Sequence, residues 1–342
     1  MKAIEFTPEQ GFQLTDKTSV TPEPGEVLLN VDACGVCGSD RQIVNGGPPP
    51  KGTTFPLIMG HEIAGTIAAV GDQVEGWQVH DSVLVHPFIP CGTCSACQNQ
   101  QYNLCLRQTC IGYHRQGGFA EQMVVPAQQL IRGSHQLSAL ALALLPDAFA
   151  TPYHAIRLTE MTADDTVLVI GTGGLGLATL QLASIFAPKR LGAVTRRSSG
   201  VETAQNYGAE MAVALNKQHR ATARQIRRWS GSSGVDVIID TVGTSASMTL
   251  ALDVIKPGGT ITLVGLSDES VPLPILKTVQ RGIKVIGSFG SLPEDISMLR
   301  QLAEKKQFDP SSLVAGTLPL EHIHQAFTTD RQSGRWVIEP NR

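Results

Sequence analysis

Thr166-Val167-Leu168-Val169-Ile170 runs straight into Gly171-Thr172-Gly173-Gly174-Leu175-Gly176, and this junction decides the fold. The first part is a short apolar run suited to a parallel strand buried on both faces. The second part fits G-x-G-x-x-G, and the residues after it read as an apolar helix through Phe186. Strand, glycine turn and helix in that order are the context in which this spacing binds a dinucleotide. Gly171 permits the tight turn, Gly173 lets the backbone approach a pyrophosphate, and Gly176 lets helix pack on strand. Gly174 and Leu175 open the helix, whose N-terminal amides favour phosphate charge.

Outward from the junction the pattern repeats toward the C-terminus. Leu191–Val194, Val235–Asp240, Thr260–Gly265 and Lys284–Gly287 are further buried-strand candidates, several of them separated by helical patterns. That alternation predicts an α/β fold with a doubly wound parallel sheet. Toward the N-terminus the chain reads as short β segments broken by Gly and Pro, among them Val27–Val31, Ile63–Val70 and Ser82–Val85. Beyond residue 290 a helix is expected over Glu294–Lys306, then short strands ending in Arg335-Trp336-Val337-Ile338. At about 150 residues per domain, 342 residues fit two domains.

The end of the second strand bears on which nicotinamide is used. NAD enzymes usually carry Asp or Glu there for the ribose 2′-hydroxyl. Here Leu191-Gly192-Ala193-Val194 is followed by Thr195-Arg196-Arg197-Ser198-Ser199, and the first acid is Glu202. A missing carboxylate and two guanidinium groups suit a 2′-phosphate, so NADP(H) is expected. The alternative is that the arginines are only solvated loop charge.

Composition excludes several classes. Hydrophobic residues make up 42% and charged residues 17%, ordinary for a globular chain. Lys plus Arg is 27 against 30 for Asp plus Glu, so no basic field exists for nucleic acid or an anionic membrane. Aromatics at 5% argue against a base-stacking platform. No apolar run is long enough to span a bilayer. Met1 to Phe6 lacks an apolar signal region, so a cytoplasmic location is expected.

There are seven cysteines, an odd count that argues against a disulfide framework. Cys91, Cys94, Cys97 and Cys105 lie close together as C-x2-C-x2-C-x7-C, with turn residues Gly92, Ser95 and Asn99 among them. Such turns supply the tetrahedron of thiolates of a closed structural zinc site. A [4Fe–4S] cluster is the rival, but a Pro usually follows its last cysteine, and here Leu106 follows Cys105. Cys37-Gly38-Ser39-Asp40 and Gly60-His61-Glu62 supply a further thiolate and imidazole, each beside a carboxylate suited to orient it.

These motifs, with Gly60-His61-Glu62-Ile63-Ala64-Gly65 and Gly334-Arg335 before the last strand, resemble the zinc-dependent medium-chain alcohol dehydrogenases over essentially the whole chain. The resemblance implies a chaperonin-10-like β-barrel catalytic domain, 1–149 plus 290–342, and a Rossmann cofactor domain, 150–289. The active site is expected in the cleft between them. It implies two zinc ions per chain, one structural and one catalytic. The catalytic ligands carried over are Cys37, His61 and Asp147, the last where many members carry Cys and where a subgroup including some yeast carbonyl reductases carries Asp. Asp147 could otherwise be a helix N-cap before Tyr153. Glu62 resembles the glutamate that lies behind the zinc and can enter its shell when water leaves. Ser39 is implied to take the alcohol proton, but where many members place a relay His this chain has Gln42. Thr151, Val242, Val264, Ser288 and Phe289 match positions beside the nicotinamide, and Arg335 matches an arginine near the pyrophosphate. Phe88 is a candidate pocket wall.

The implied reaction is reversible hydride transfer between NADP(H) and an alcohol, aldehyde or ketone. The expected partner is a small molecule, with no nucleic acid and no membrane, in a homo-oligomer, dimer or tetramer. Three other readings are a polyol or sugar dehydrogenase of the same family, a zinc-independent quinone or enoyl reductase, and a ligand-sensing protein that has lost activity. The zinc-ligand motifs argue against the second, and the intact ligand set against the third.

Overall fold

The computed structural model describes residues 1–18, 20–215, 219–231, 233–328 and 334–342. They form two units, Met1–Ala150 with Ser291–Arg342, and Thr151–Gly290.

The first unit is built around the strand Glu26–Gly35. Its alternating Val27, Leu29 and Val31 are fully buried, and Ala33 and Cys34 continue the buried run. One edge pairs antiparallel with Glu62–Val70; the other takes Gln122–Pro126 along its first half and Arg335–Glu339 at its end. Ser82–Val85 and Leu130–Arg132 extend the sheet on one side and Val314–Pro319 on the other. A hairpin of Lys2–Thr7 and Gly11–Asp16, joined by Leu57–Ile58, forms a second small sheet. Ala3, Ile4 and Phe6 from it share one core with Val27, Leu29, Ile63, Phe119 and Ile338.

Strand register decides which segments converge. Gly35 pairs with Glu62 on one side and with Val337 on the other. The segments carrying Cys37, His61 and Arg335 therefore meet at one end of the sheet. Only glycine fits at 35, because a Cβ there would lie 2.1 Å from Glu62 Oε2.

A third segment reaches this end through a helical run. Ala139–Leu144 and Ala150–Thr159 are α-helical, and between them Leu145–Phe149 widens into a π-type turn. Pro146 lacks an N–H and its ring crowds the carbonyl a turn earlier, which breaks the regular ladder here. Asp147 lies inside that turn, so it is not the N-cap of a following helix.

The second unit holds one six-stranded sheet, parallel throughout. The order is Met211–Ala214, Arg190–Thr195, Thr166–Ile170, Val235–Asp240, Ile255–Leu263, Lys284–Gly287, which in chain order is 3-2-1-4-5-6. This is the doubly wound order of a dinucleotide-binding sheet. All five residues of Thr166–Ile170 are buried, as their apolar character requires. Several expected strands change their bounds, among them Val27–Val31, which lengthens to Glu26–Gly35, and Leu191–Val194, which lengthens to Arg190–Thr195. The fifth starts at Ile255 and ends at Leu263, with a register irregularity opposite Val235 to Val237, and the last strand of the chain extends to Glu339. The expected C-terminal helix spans Pro293–Glu304.

Candidate metal and dinucleotide sites

Cys37 stands at the start of the helix Gly38–Val44, and its N–H donates to Asp40 Oδ2 at 2.9 Å. The other oxygen of that fully buried carboxylate lies 3.5 Å from His61 Nδ1. Asp40 thus orients the segments carrying both the thiol and the imidazole. The remaining ring nitrogen, His61 Nε2, lies 3.8 Å from Asp147 Oδ2, and Cys37 Sγ lies 3.3 Å from the same oxygen. Glu62 completes a set of four whose ligand atoms lie within 4.8 Å of one another. The structure therefore brings together Cys37, His61, Glu62 and Asp147.

Arg335 belongs to this cluster. It is buried; its Nε donates to Glu62 Oε1 at 3.1 Å, and its Nη2 lies 3.8 Å from Asp147 Oδ2 and 3.6 Å from Cys37 Sγ. The resemblance associates this arginine with the pyrophosphate. The strand register sets its guanidinium beside Glu62.

Burial and mutual proximity set the electrostatics of this cluster. Burial pushes the Glu62 carboxyl up to about 8 even though Arg335 pulls it down. Burial raises the Cys37 thiol, and Asp147 adds to this. For His61 burial acts in the opposite direction, but Tyr113, Asp40 and Asp147 outweigh it and hold the imidazole well above its usual range. Glu62 Oε2 is buried with no hydrogen-bond partner, and a buried unpaired carboxylate oxygen is costly. A sulfur, an imidazole and two carboxylates within 4.8 Å of one another are a donor set suited to zinc with an exchangeable position.

Ser39, half-buried on the first turn of the helix, accepts a hydrogen bond from the Tyr113 hydroxyl at 2.6 Å. The Tyr113 ring packs on His61, with centroids 5.1 Å apart. Sequence reasoning missed Tyr113, since a lone aromatic in a glycine-rich turn reads as core. Gln42 is exposed. Phe88 is half-buried and packs against the unit's core.

The four-cysteine loop also closes. Sγ of Cys94 lies 3.5 Å from Cys97 and 3.8 Å from Cys105, and all four sulfurs lie within 4.8 Å of one another. A tetrahedron with bonds of about 2.3 Å has edges of about 3.8 Å, so the set fits one zinc ion. Amides point at these sulfurs: Cys91 N–H donates to Cys105 Sγ at 3.2 Å, and the Thr93 amide leads in lowering the Cys91 thiol to about 5. Arg107, which sequence reasoning also missed, places Nη2 3.6 Å from Cys91 Sγ. All seven cysteines are free of disulfides.

In the second unit the glycine turn has the form its spacing implies. Gly171 has φ +99°, and a Cβ there would lie 2.6 Å from Thr241 Oγ1. At Gly176 a Cβ would lie 2.0 Å from the Gly171 carbonyl oxygen. At Gly173 a Cβ would meet nothing within 4 Å. That open space faces the start of the helix Gly174–Ile185, where Gly174, Leu175 and Gly176 begin the helical run. First-turn amides lack intrahelical partners, so the place fits a pyrophosphate.

Thr195 is 2% exposed; its hydroxyl donates to the Arg197 carbonyl at 2.7 Å and so shapes the loop, while Arg196 and Arg197 are exposed. Val242, Val264 and Ser288 each lie just past the carboxyl end of a strand, with Phe289 next in line. The Val242 amide donates to Asp240 Oδ1 at 2.9 Å, and Val264 and Ser288 are buried. Thr151 is also buried, at the unit's first residue.

Comparison with known proteins adds lineage. One family model, the alcohol dehydrogenase GroES-like domain, matches residues 23–135, and another, zinc-binding dehydrogenase, matches 174–305. The GroES-like model corresponds to the chaperonin-10-like domain expected from the sequence. The chain is 34% identical over 305 residues to an alcohol dehydrogenase of Geobacillus stearothermophilus, spanning 89% of this chain and 88% of that one. It is 30% identical over 343 residues to an NAD-dependent alcohol dehydrogenase of Sulfurisphaera tokodaii, spanning 96% of each. A Sinorhizobium meliloti 1021 protein solved with NADP, assigned to the zinc-binding dehydrogenases, matches with TM-score 0.90 at 26% identity over 99% of both chains.

Proposed function

The chain belongs to the zinc-dependent medium-chain alcohol dehydrogenase family, and from that premise we propose that it interconverts an alcohol and its aldehyde or ketone, with NADP(H) as hydride carrier and two zinc ions per chain. The observation that carries the reading is the convergence of Cys37, His61, Glu62 and Asp147, whose ligand atoms lie within 4.8 Å of one another.

Cys37, His61 and Asp147 would hold the catalytic ion, with Glu62 beside them as a further carboxylate. When bound, zinc supplies a Lewis acid that stabilises alkoxide or polarises carbonyl, while the nicotinamide carries the hydride. Asp40 keeps the imidazole and the Cys37 backbone in place. Arg335 balances the Glu62 charge. Ser39 accepts a hydrogen bond from the hydroxyl of a substrate alcohol, or donates one to a carbonyl oxygen in the reverse direction. Cys91, Cys94, Cys97 and Cys105 would hold the second ion, which fixes their loop.

NADP(H) preference rests on the loop after the second parallel strand, where Arg196 and Arg197 are exposed and no acid occurs before Glu202. Thr151, Val242, Val264, Ser288 and Phe289 are assigned to the nicotinamide half. The partner is a small alcohol or carbonyl compound. Among the described residues no helix is long and apolar enough to cross a membrane. A homo-oligomer is further inferred from the helix Ile275–Arg281, which buries none of its residues and exposes Ile275, Leu276 and Val279.

The test is a panel of simple alcohols, polyols and carbonyl compounds read by nicotinamide absorbance with both cofactors, alongside elemental zinc analysis. Turnover of a simple alcohol or ketone with two zinc ions per chain is expected. Active protein with one zinc or none would refute the metal assignments, and turnover of sorbitol alone would move the substrate class to polyols.

A further inference from the structure

The turn that carries Tyr113 is built against the metal-ligand segment. Gly112, at φ +82°, packs so closely that a Cβ would lie 2.8 Å from the Gly60 carbonyl oxygen, one residue before His61. The turn closes on itself, with Gly112 N–H donating to the Arg115 carbonyl at 2.8 Å and Tyr113 N–H to the Cys110 carbonyl at 3.2 Å. Tyr113 is 7% exposed and its ring lies against the His61 ring, tilted by 44°. The phenol is thus held from both sides, with its oxygen 2.6 Å from Ser39 Oγ. Among the described residues this is the only hydrogen-bond partner of either hydroxyl.

A serine hydroxyl has one proton and two lone pairs, and its side chain samples three staggered rotamers. On the first turn of a helix it tends to bond back to nearby backbone. A phenol is protonated at neutral pH, so Tyr113 donates and Ser39 accepts. One Ser39 lone pair is then committed. What remains is one proton and one lone pair, the complement needed to accept a hydrogen bond from a substrate hydroxyl or to donate one to a carbonyl oxygen.

We propose that Tyr113 is a positioning residue for the hydride-transfer reaction: its phenol locks the Ser39 hydroxyl in the orientation that addresses the substrate oxygen. The inference rests on the dehydrogenase reading above.

Tyr113→Phe keeps the ring on His61 and removes only the hydroxyl. Loss of one hydrogen bond of this kind is expected to lower kcat roughly 10-fold. Zinc content and NADPH affinity should stay unchanged. A second readout does not depend on turnover. Isobutyramide offers a carbonyl oxygen that does not take hydride, and its affinity for the zinc-loaded protein with NADPH should fall by a similar factor. Because Tyr113 acts through Ser39, the Ser39→Ala variant should absorb the effect, and adding Tyr113→Phe to it should change neither quantity further. Wild-type kcat and amide affinity in Tyr113→Phe, or additive losses in the double variant, would overturn the proposal. Wild-type protein that turns over nothing in the panel and binds no amide sinks the dehydrogenase reading itself, and this inference with it.

Discussion

At Asp147 one carboxylate oxygen lies 3.3 Å from the Cys37 sulfur and 3.8 Å from His61 Nε2, a placement that a helix cap does not need. Asparagine has the same shape but carries no charge to place on a metal. Asp147→Asn is therefore expected to lower activity by more than about 100-fold, the upper end of what loss of an outer-shell partner costs, or to remove one zinc per chain. Full activity with full zinc would take Asp147 out of the ligand set. The arginines of the cofactor loop allow a comparable test. A charge-assisted hydrogen bond contributes roughly 1.5–3 kcal/mol, so Arg196→Ala should raise the KM for NADPH about 10- to 100-fold and leave NADH nearly untouched. Thr195→Asp adds repulsion against the 2′-phosphate and a partner for the free ribose hydroxyl, and should move the preference toward NADH. Steady-state kinetics with both cofactors decide it: equal or better efficiency of the wild type with NADH would show that this loop binds no phosphate.

At the scale of elements, what was legible in the sequence depended on how locally each feature is determined. The strand Thr166–Ile170 and the glycine turn could be read because a strand buried on both faces must be apolar throughout and because Gly171 and Gly176 have no room for a side chain. The four-cysteine loop could be read because its ligands lie within 15 consecutive residues, Cys91 to Cys105. The hairpin Lys2–Thr7 with Gly11–Asp16 escaped notice, since its second strand has no fully buried residue and so no clear alternation. The wide turn around Asp147 could not be read either, as Pro146 signals a break but not its shape. Tyr113 and the placement of Arg335 depend on pairings over 74 and 273 residues, which only the assembled sheet reveals. The cysteine loop also yields a prediction of its own kind. It contains one short helix, Ser95–Gln98, and a 3-10 turn, Tyr102–Leu104, so little besides metal would hold it. Structural zinc contributes folding free energy directly. Cys94→Ser should cost one zinc per chain and lower the thermal midpoint, and a chelator should do the same to the wild type. Unchanged melting after loss of that zinc would make the loop self-supporting.

For the molecule as a whole, the helix Ile275–Arg281 leaves large apolar side chains on the surface. Ile275, Leu276 and Val279 are 73%, 71% and 73% exposed, and Val285, on the strand that follows in the chain, is 38% exposed. That strand, Lys284–Gly287, is the last in its sheet, so one row of its backbone groups has no ladder partner among the described residues. An apolar patch beside an open strand edge is a pairing site unless something covers it. A strand edge is satisfied by another strand, and the most available one is the same edge of a second copy. Two copies related by a twofold axis would place each edge against the other and each helix Ile275–Arg281 in the shared apolar contact. The expected outcome is a dimer or larger assembly by light scattering at micromolar concentration. Aspartates at Leu276 and Val279 place like charges in a self-facing contact, so this double variant should dissociate to monomers while keeping both zinc ions, whose ligands lie in the other unit. A wild type that stays monomeric as its concentration rises would leave the patch without its proposed partner. A double variant that stays assembled would place the contact on another surface.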